Sequence, residues 1–213
     1  MPTLATLAVF VLAGLTLLAI PGPNHLYIAT RSAAQGRSAG FASAFGVELG
    51  TLVHVCAAAV GLSALVASSA VAFDAIRYLG AAYLVLLGVR ALRARPSAED
   101  RDAAVVASSR RTLVRDGMLV NLLNPKVALF FLAFLPQFVD PARGSVALQT
   151  LVLGLVLAAL GFASDLLYAA AAARVAQRVR ATGRGGDGAR LRAVTGGVYI
   201  GLGTLAALAG GRR

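Results

Sequence analysis

The 213-residue sequence predicts an all-α integral membrane protein of about six transmembrane helices, arranged as two inverted three-helix repeats with the first and fourth helices broken. Three observations carry this expectation. Of the residues, 58% are hydrophobic and 14% charged, more apolar surface than a soluble core of this size can cover. Apolar stretches of bilayer length, about 20 residues each, fall at 4–29, 40–67, 71–92, 113–138, 146–173 and 191–210. Most of the basic residues fall in the short gaps between these stretches, which is the pattern of membrane topology and not of a nucleic-acid-binding face.

The first span carries no Lys or Arg before its apolar run, and Pro21 and Pro23 stand where a signal-peptide cleavage region would lie. The run is therefore expected to be retained. It is interrupted by "PGPNH" at 21–25. A proline inside a helix removes a donor and orphans a carbonyl four residues back. In hydrocarbon such backbone persists only where protein, side chains or cavity water can meet it. Pro21, Gly22 and Pro23 are thus expected to face the interior, with Asn24 and His25 placed to bond the freed backbone or line a solute path. A simple kink is the alternative.

The second span contains Glu48, together with Gly46, Gly50 and Gly61 on the face of His54. Such a stripe reads as close helix packing. Cys56, the single cysteine, excludes an intrachain disulfide and reads as a small buried hydrophobe. The third span opens on "LGAAYL" at 79–84 and is followed by a segment with Pro96, Glu99, Asp100, Asp102, Ser108 and Ser109, a loop by composition. This divides one transmembrane domain, 1–213, into a first half at 1–93, a cytoplasmic linker at 94–111 and a second half at 112–213.

The fourth span contains "NLLNPKVALFF" at 121–131, with Asn121, Asn124, Pro125 and Lys126. A lysine inside an apolar span costs several kcal/mol, of the order of 2.5–3.5 on insertion scales, unless it finds a partner or snorkels out. Pointing inward, Lys126 can attract a substrate carboxylate or neutralise Glu48 or Asp165; snorkelling is the alternative. Asp165 lies in the fifth span, and with Glu48 it makes the pair of acids well inside predicted spans. Either can bind a substrate ammonium, pair with Lys126 or carry a coupling proton. In the sixth span "TGGVYI" at 195–200 echoes "LGAAYL", aligning Gly196 with Gly80 and Tyr199 with Tyr83. The prolines of the first and fourth spans echo each other in the same order. Three spans per half reverse the orientation of the second half, the geometry of an inverted repeat in a secondary transporter.

Arg31 and Arg37 occupy the first gap. Arg90, Arg93, Arg95, Arg101, Arg110, Arg111 and Arg115 surround the third, and Arg174, Arg178, Arg180, Arg184, Arg190 and Arg192 the fifth. Arg77 and Arg143 are all that gaps two and four contribute. The odd gaps are therefore expected on the cytoplasmic side and both termini outside, with Arg212 and Arg213 the discordant pair. No phosphate-binding glycine loop, HExxH pattern or metal-ligand spacing is present, so no cofactor and no metal is expected. No nucleophile, base and orienting group can be assembled, so the chain does not read as an enzyme. Any transport is expected to run on a gradient or as simple facilitated diffusion.

The stretches "PGPNHLYIATRSAAQGRSAGFASAFGVELG" at 21–50, "IRYLGAAYLVLLGVRALR" at 76–93, "GMLVNLLNPKVALFFLAFLPQFV" at 117–139 and "RAVTGGVYIGLG" at 192–203 resemble the lysine exporter (LysE/RhtB) superfamily, in its homoserine/threonine efflux branch. The resemblance implies a multi-pass protein of the bacterial plasma (inner) membrane that exports homoserine, threonine, lysine or a related small amino acid in exchange for protons. It implies membrane lipid as its surroundings and no nucleic-acid partner, and leaves homo-oligomerisation open. The family pattern falls on Pro21, Gly22, Pro23 and Asn24, on Gly36, Arg37, Gly40, Gly46 and Gly50, on Gly80, Tyr83, Leu84 and Gly88, and on Asn124, Pro125, Lys126, Pro136, Gln137 and Phe138. Glu48 and Asp165 lie outside it, and their roles rest on position alone. The substrate or coupling candidates are Pro21, Gly22, Pro23, Asn24, Glu48, Asn124, Pro125, Lys126 and Asp165. The rival reading is a non-transport membrane scaffold or accessory subunit in which the breaks only shape helix packing.

Overall fold

A computed structural model of the chain describes residues 1–19, 22–69, 71 and 108–181. Pro21, the third predicted span beyond Val71, most of the 94–111 segment, the "TGRGGDG" loop and the sixth predicted span with Tyr199 lie outside the described residues. Within them the regular structure is helical: α1 (Leu4–Ala19), α2 (Pro23–Gln35), α3 (Arg37–Ser68), α4 (Arg110–Leu122), α5 (Pro125–Leu129) and α6 (Val146–Ala181). A π-helical turn (Phe130–Phe134) and a 3₁₀ turn (Leu135–Phe138) continue α5, and a second 3₁₀ turn (Pro141–Arg143) precedes α6.

Two of these helices are long and apolar enough to cross a membrane, over Arg37–Ala64 (28 residues) and Val146–Arg178 (33 residues). At 1.5 Å per residue they measure about 42 and 50 Å, more than the ~30 Å of hydrocarbon, so α6 runs past the predicted limit at residue 173. The segment Arg110–Leu122 with Pro125–Phe138 meets the same criterion as a pair bent by 50°. The first apolar stretch, expected as one broken span at 4–29, is two helices: α1, about 24 Å long at helical rise, and α2, whose polar C-terminal half extends past the expected limit to Gln35. Helix α4 begins at Arg110, inside the segment read as linker, because Ser109 caps it by accepting a bond from Thr112 N–H at 3.2 Å.

Helix α3 lies between α4 and α6, and α2 packs on α3 and α6. The approach of α3 to α4 is backbone-close. A Cβ on Gly46 would overlap the Val114 carbonyl, and one on Gly117 would come within 2.6 Å of the Ser43 carbonyl oxygen. Fully buried Asn121 clamps the contact, donating from Nδ2 to the Val47 carbonyl and to Thr51 Oγ1, the latter at 2.7 Å. The glycine stripe thus works at positions 46 and 50. At Gly61 nothing lies within 4 Å among the described residues. Cys56 departs from expectation: it is exposed, on the outward face of α3 with Leu52, Val53 and Val60, because the helical period turns Thr51, Val55, Ala58 and Leu62 inward instead.

Two apolar cores result. One joins Phe10 of α1 to Phe130, Phe131 and Leu135 and to Leu153 and Leu157 of α6; the other joins Ile28, Ala44, Val47 and Ala169. Beyond the second core three arginines bond across the helix ends. Arg31 donates to Ser108 Oγ at 3.0 Å, Arg110 to Ser38 Oγ at 3.1 Å and Arg180 to the Ala33 carbonyl at 2.7 Å. Before the start of α6 the Met1 ammonium donates to the Arg143 carbonyl at 2.8 Å.

Candidate functional site

The site begins with how the chain restarts after each interruption. Gly22 is the extended N-cap of α2, Pro23 its first residue, and Asn24 and His25 follow. Asn124 caps α5 through its side chain, accepting from Lys126 N–H at 3.0 Å, and Pro125 is that helix's first residue. A proline at this position forfeits no intrahelical bond, because the first amides of a helix have no partner to lose, and its fixed φ suits the start of a turn. Pro23 and Pro125 therefore initiate helices instead of wounding them. This corrects the expectation that Pro23 faces the interior: the rings of Pro23 and Pro125 are exposed, while Asn124 and His25 are buried.

The two restarts touch. Asn124 Nδ2 donates to Asn24 Oδ1 at 2.8 Å, and a Cβ built on Gly22 would lie 3.8 Å from Lys126 Nζ. Lys126 is therefore turned back across the first break, not outward as snorkelling would have it. Asn24, Glu48, Lys126 and Asp165 line one cavity of about 60 Å³ together with His25. Its apolar wall comes from both cores, Val47 on one side and Phe130, Phe131 and Leu157 on the other.

Each charged group reaches the cavity from a different helix: Lys126 from α5, Asp165 from the middle of α6 and Glu48 from α3. Asp165 is 4% exposed and close enough to interact electrostatically with both Lys126 and Glu48. Charges withdrawn from water cost several kcal/mol each unless they meet partners, so the cluster persists because an ammonium stands among the carboxylates. Glu48 Oε2 is buried without a hydrogen-bond partner among the described residues. Its Oε1 occupies space that Gly161 leaves: a Cβ there would approach it to 2.9 Å.

His25 enters this group although the second break offers no matching histidine. Its Nδ1 accepts the Gly22 N–H at 3.3 Å, its Nε2 lies 3.6 Å from Asp165 Oδ1, and its ring rests on Tyr168 at a centroid distance of 4.1 Å. The signal for it in sequence is its place three residues after an N-cap, where a Glu or Gln usually reaches back to the cap's amide. His54 is elsewhere in the cavity's surroundings, stacked on Phe131 at 5.8 Å. Among the described residues no group of three or more His, Cys, Asp or Glu could hold a metal ion.

An ammonium, carboxylates and amide side chains in one low-dielectric cavity are complementary to a molecule bearing both an ammonium and a carboxylate. The volume is room for a few water molecules, so admitting such a molecule requires the walls to part.

A family model described as "LysE type translocator" matches residues 15–210. An uncharacterized membrane protein of Vibrio cholerae is 32% identical over 192 residues, 89% of this chain and 90% of its own length. An uncharacterized membrane protein of Pseudomonas aeruginosa is 37% identical over 152 residues, 70% of each chain. A leucine efflux protein of Salmonella typhimurium is 28% identical over 153 residues, 72% of each chain. No solved structure matches to a significant level.

Proposed function

The chain belongs to the LysE type translocator family, and on that premise we propose that it exports a small zwitterionic amino acid across the bacterial plasma (inner) membrane by exchange with protons. It is a transporter by family and not an enzyme. The observation that carries the mechanism is the joining of the two breaks at Asn24 and Asn124, with Lys126 and Asp165 in the one buried cavity.

The substrate carboxylate is received at Lys126 and the α2 restart, where Asn24 and the first amides of the helix favour negative charge. The substrate ammonium is received by Asp165 or Glu48. Because protonation of an interior acid and occupancy by an ammonium compete, a proton entering from outside displaces the substrate outward. Rocking of 1–93 against 112–213, linked by 94–111, exposes the cavity to each side in turn. The six-span inverted repeat with external termini is part of this proposal.

Homoserine, threonine and lysine follow from the branch that the motifs resemble; leucine follows from the name of a relative. The test is counterflow and net efflux of labelled amino acids in vesicles containing the purified protein, with and without an imposed pH gradient. Saturable, substrate-specific counterflow that a pH gradient drives uphill is the expected result. Absence of flux for every amino acid would replace the exporter with a scaffold or accessory subunit, and flux without counterflow would replace it with a pore.

A further inference from the structure

The backbone beside His25 dictates its tautomer. The Gly22 amide can only donate, so the Nδ1 that receives it carries the lone pair and the ring hydrogen is on Nε2. That hydrogen has no acceptor within hydrogen-bonding range among the described residues. The nearest carboxylate oxygen, Asp165 Oδ1, is 3.6 Å away, a few tenths of an ångström beyond a normal bond of about 2.7–3.2 Å. The ring is seated on Tyr168, which shares α6 with Asp165, and so cannot swing aside without giving up both that contact and the cap. The groups facing it are Lys126 from α5, Glu48 from α3, and Asp165 and Tyr168 from α6.

We infer that His25 is a positioning residue for the ammonium-binding carboxylate: its Nε2–H, held 3.6 Å from Asp165 Oδ1 and without another acceptor among the described residues, closes on that oxygen to aim the carboxylate into the cavity, while its Nδ1 anchors the ring to the amide at which α2 restarts. Asp165 then exchanges the imidazole N–H for the ammonium of an arriving amino acid, and the exchange is felt at Gly22, the hinge of the first break. Glu48, with an unpartnered oxygen in the same cavity, is left as the proton carrier. The inference rests on the exporter reading for its consequence but not for its geometry.

Two substitutions separate the two ring nitrogens. His25→Asn keeps an acceptor near the Nδ1 position and leaves nothing at Nε2, whereas His25→Gln can reach the Gly22 amide with its Oε1, as Gln does at this helix position, and still offers an amide N–H near Nε2. With labelled leucine and threonine as probes, His25→Asn is expected to raise the half-saturating concentration at least tenfold with the maximal rate within twofold of wild type. His25→Gln is expected to stay within threefold. An unchanged His25→Asn, or both variants equally impaired with a lowered thermal midpoint, would overturn the inference in favour of a cap alone.

A second measurement does not depend on transport. The chain has two histidines, so nitrogen NMR of the full-length protein in lipid nanodiscs can be assigned with a His54→Gln variant. Hydrogen on Nε2 of His25, and a shift of that nitrogen but not of Nδ1 on Asp165→Asn, are expected. An Nδ1–H tautomer, or an Nε2 signal indifferent to Asp165→Asn, would also overturn it. Flux by the wild type reports separately on the exporter reading.

Discussion

Asn124 donates its amide hydrogen to Asn24 at 2.8 Å, and so bonds the second helix break to the first across 100 residues of chain. The same Asn124 side chain accepts from Lys126 N–H. One amide thus caps its own helix and grips the other, using its oxygen for the first task and its nitrogen for the second. The relationship joins the two breaks directly, side chain to side chain.

Replacing Asn124 with alanine removes a cap of about 0.5–2 kcal/mol and a bridge of about 0.5–1.5 kcal/mol. Asn24→Ala removes the bridge alone. Unfolding in detergent is expected to rank Asn124→Ala as the more destabilised, and a double-mutant cycle should return a coupling of about 0.5–1.5 kcal/mol. Additive effects would show that the contact carries no energy.

Lys126→Met keeps the length of the side chain and discards the ammonium. Because Lys126 stands near Gly22 and among the cavity carboxylates, transport is expected to fall at least tenfold while membrane insertion persists. Unchanged efflux from normally inserted protein would remove Lys126 from the mechanism.

Glu48→Gln and Asp165→Asn should fail differently. The first is expected to retain counterflow but lose the response of net efflux to an imposed pH gradient. The second is expected to weaken substrate binding at least tenfold. Wild-type coupling in Glu48→Gln with wild-type affinity in Asp165→Asn would count against both assignments.

Gly161 leaves room for the Glu48 carboxylate, and a methyl group added there would press on Oε1 at 2.9 Å. The carboxylate is the far end of a flexible side chain, so Gly161→Ala is expected to fold and to cost little stability. Its effect should appear in coupling instead, as a weakened dependence of efflux on the pH gradient. A folded Gly161→Ala with fully normal coupling would show that the position of Glu48 is unimportant.

The legible part of this protein was what local chemistry decides. Glycine and proline followed by asparagine in one stretch, and asparagine, proline and lysine in the other, marked both interruptions at the right residues. Glu48, Lys126 and Asp165 stood out because charge inside an apolar run is expensive, and the structure lines one cavity with all three. The orientation of Pro23 was misread for a reason equally local: a proline was treated as damage to a continuing helix, whereas the chain places it at the first position of a new one. His25 was legible as a group able to bond the freed backbone, and its Nδ1 does accept the Gly22 N–H. Its place 3.6 Å from Asp165, 140 residues away, was not, because that depends on how α2 packs on α6.

The sequence by itself determined the apolar composition that requires a membrane, the positions of the two breaks and the family to which the chain belongs. These are set by residue type and spacing. Only the tertiary structure decided that the breaks meet, that Asn24 faces Asn124, that Gly161 makes space for Glu48 and that His25 points at Asp165. Such contacts depend on how α2 seats against α3 and α6, a seating fixed by Ser32 donating to the Ala169 carbonyl at 2.6 Å and by Gly40 beside it. Helical periodicity says which face a residue occupies; close packing between helices, which no single stretch encodes, says what that face meets.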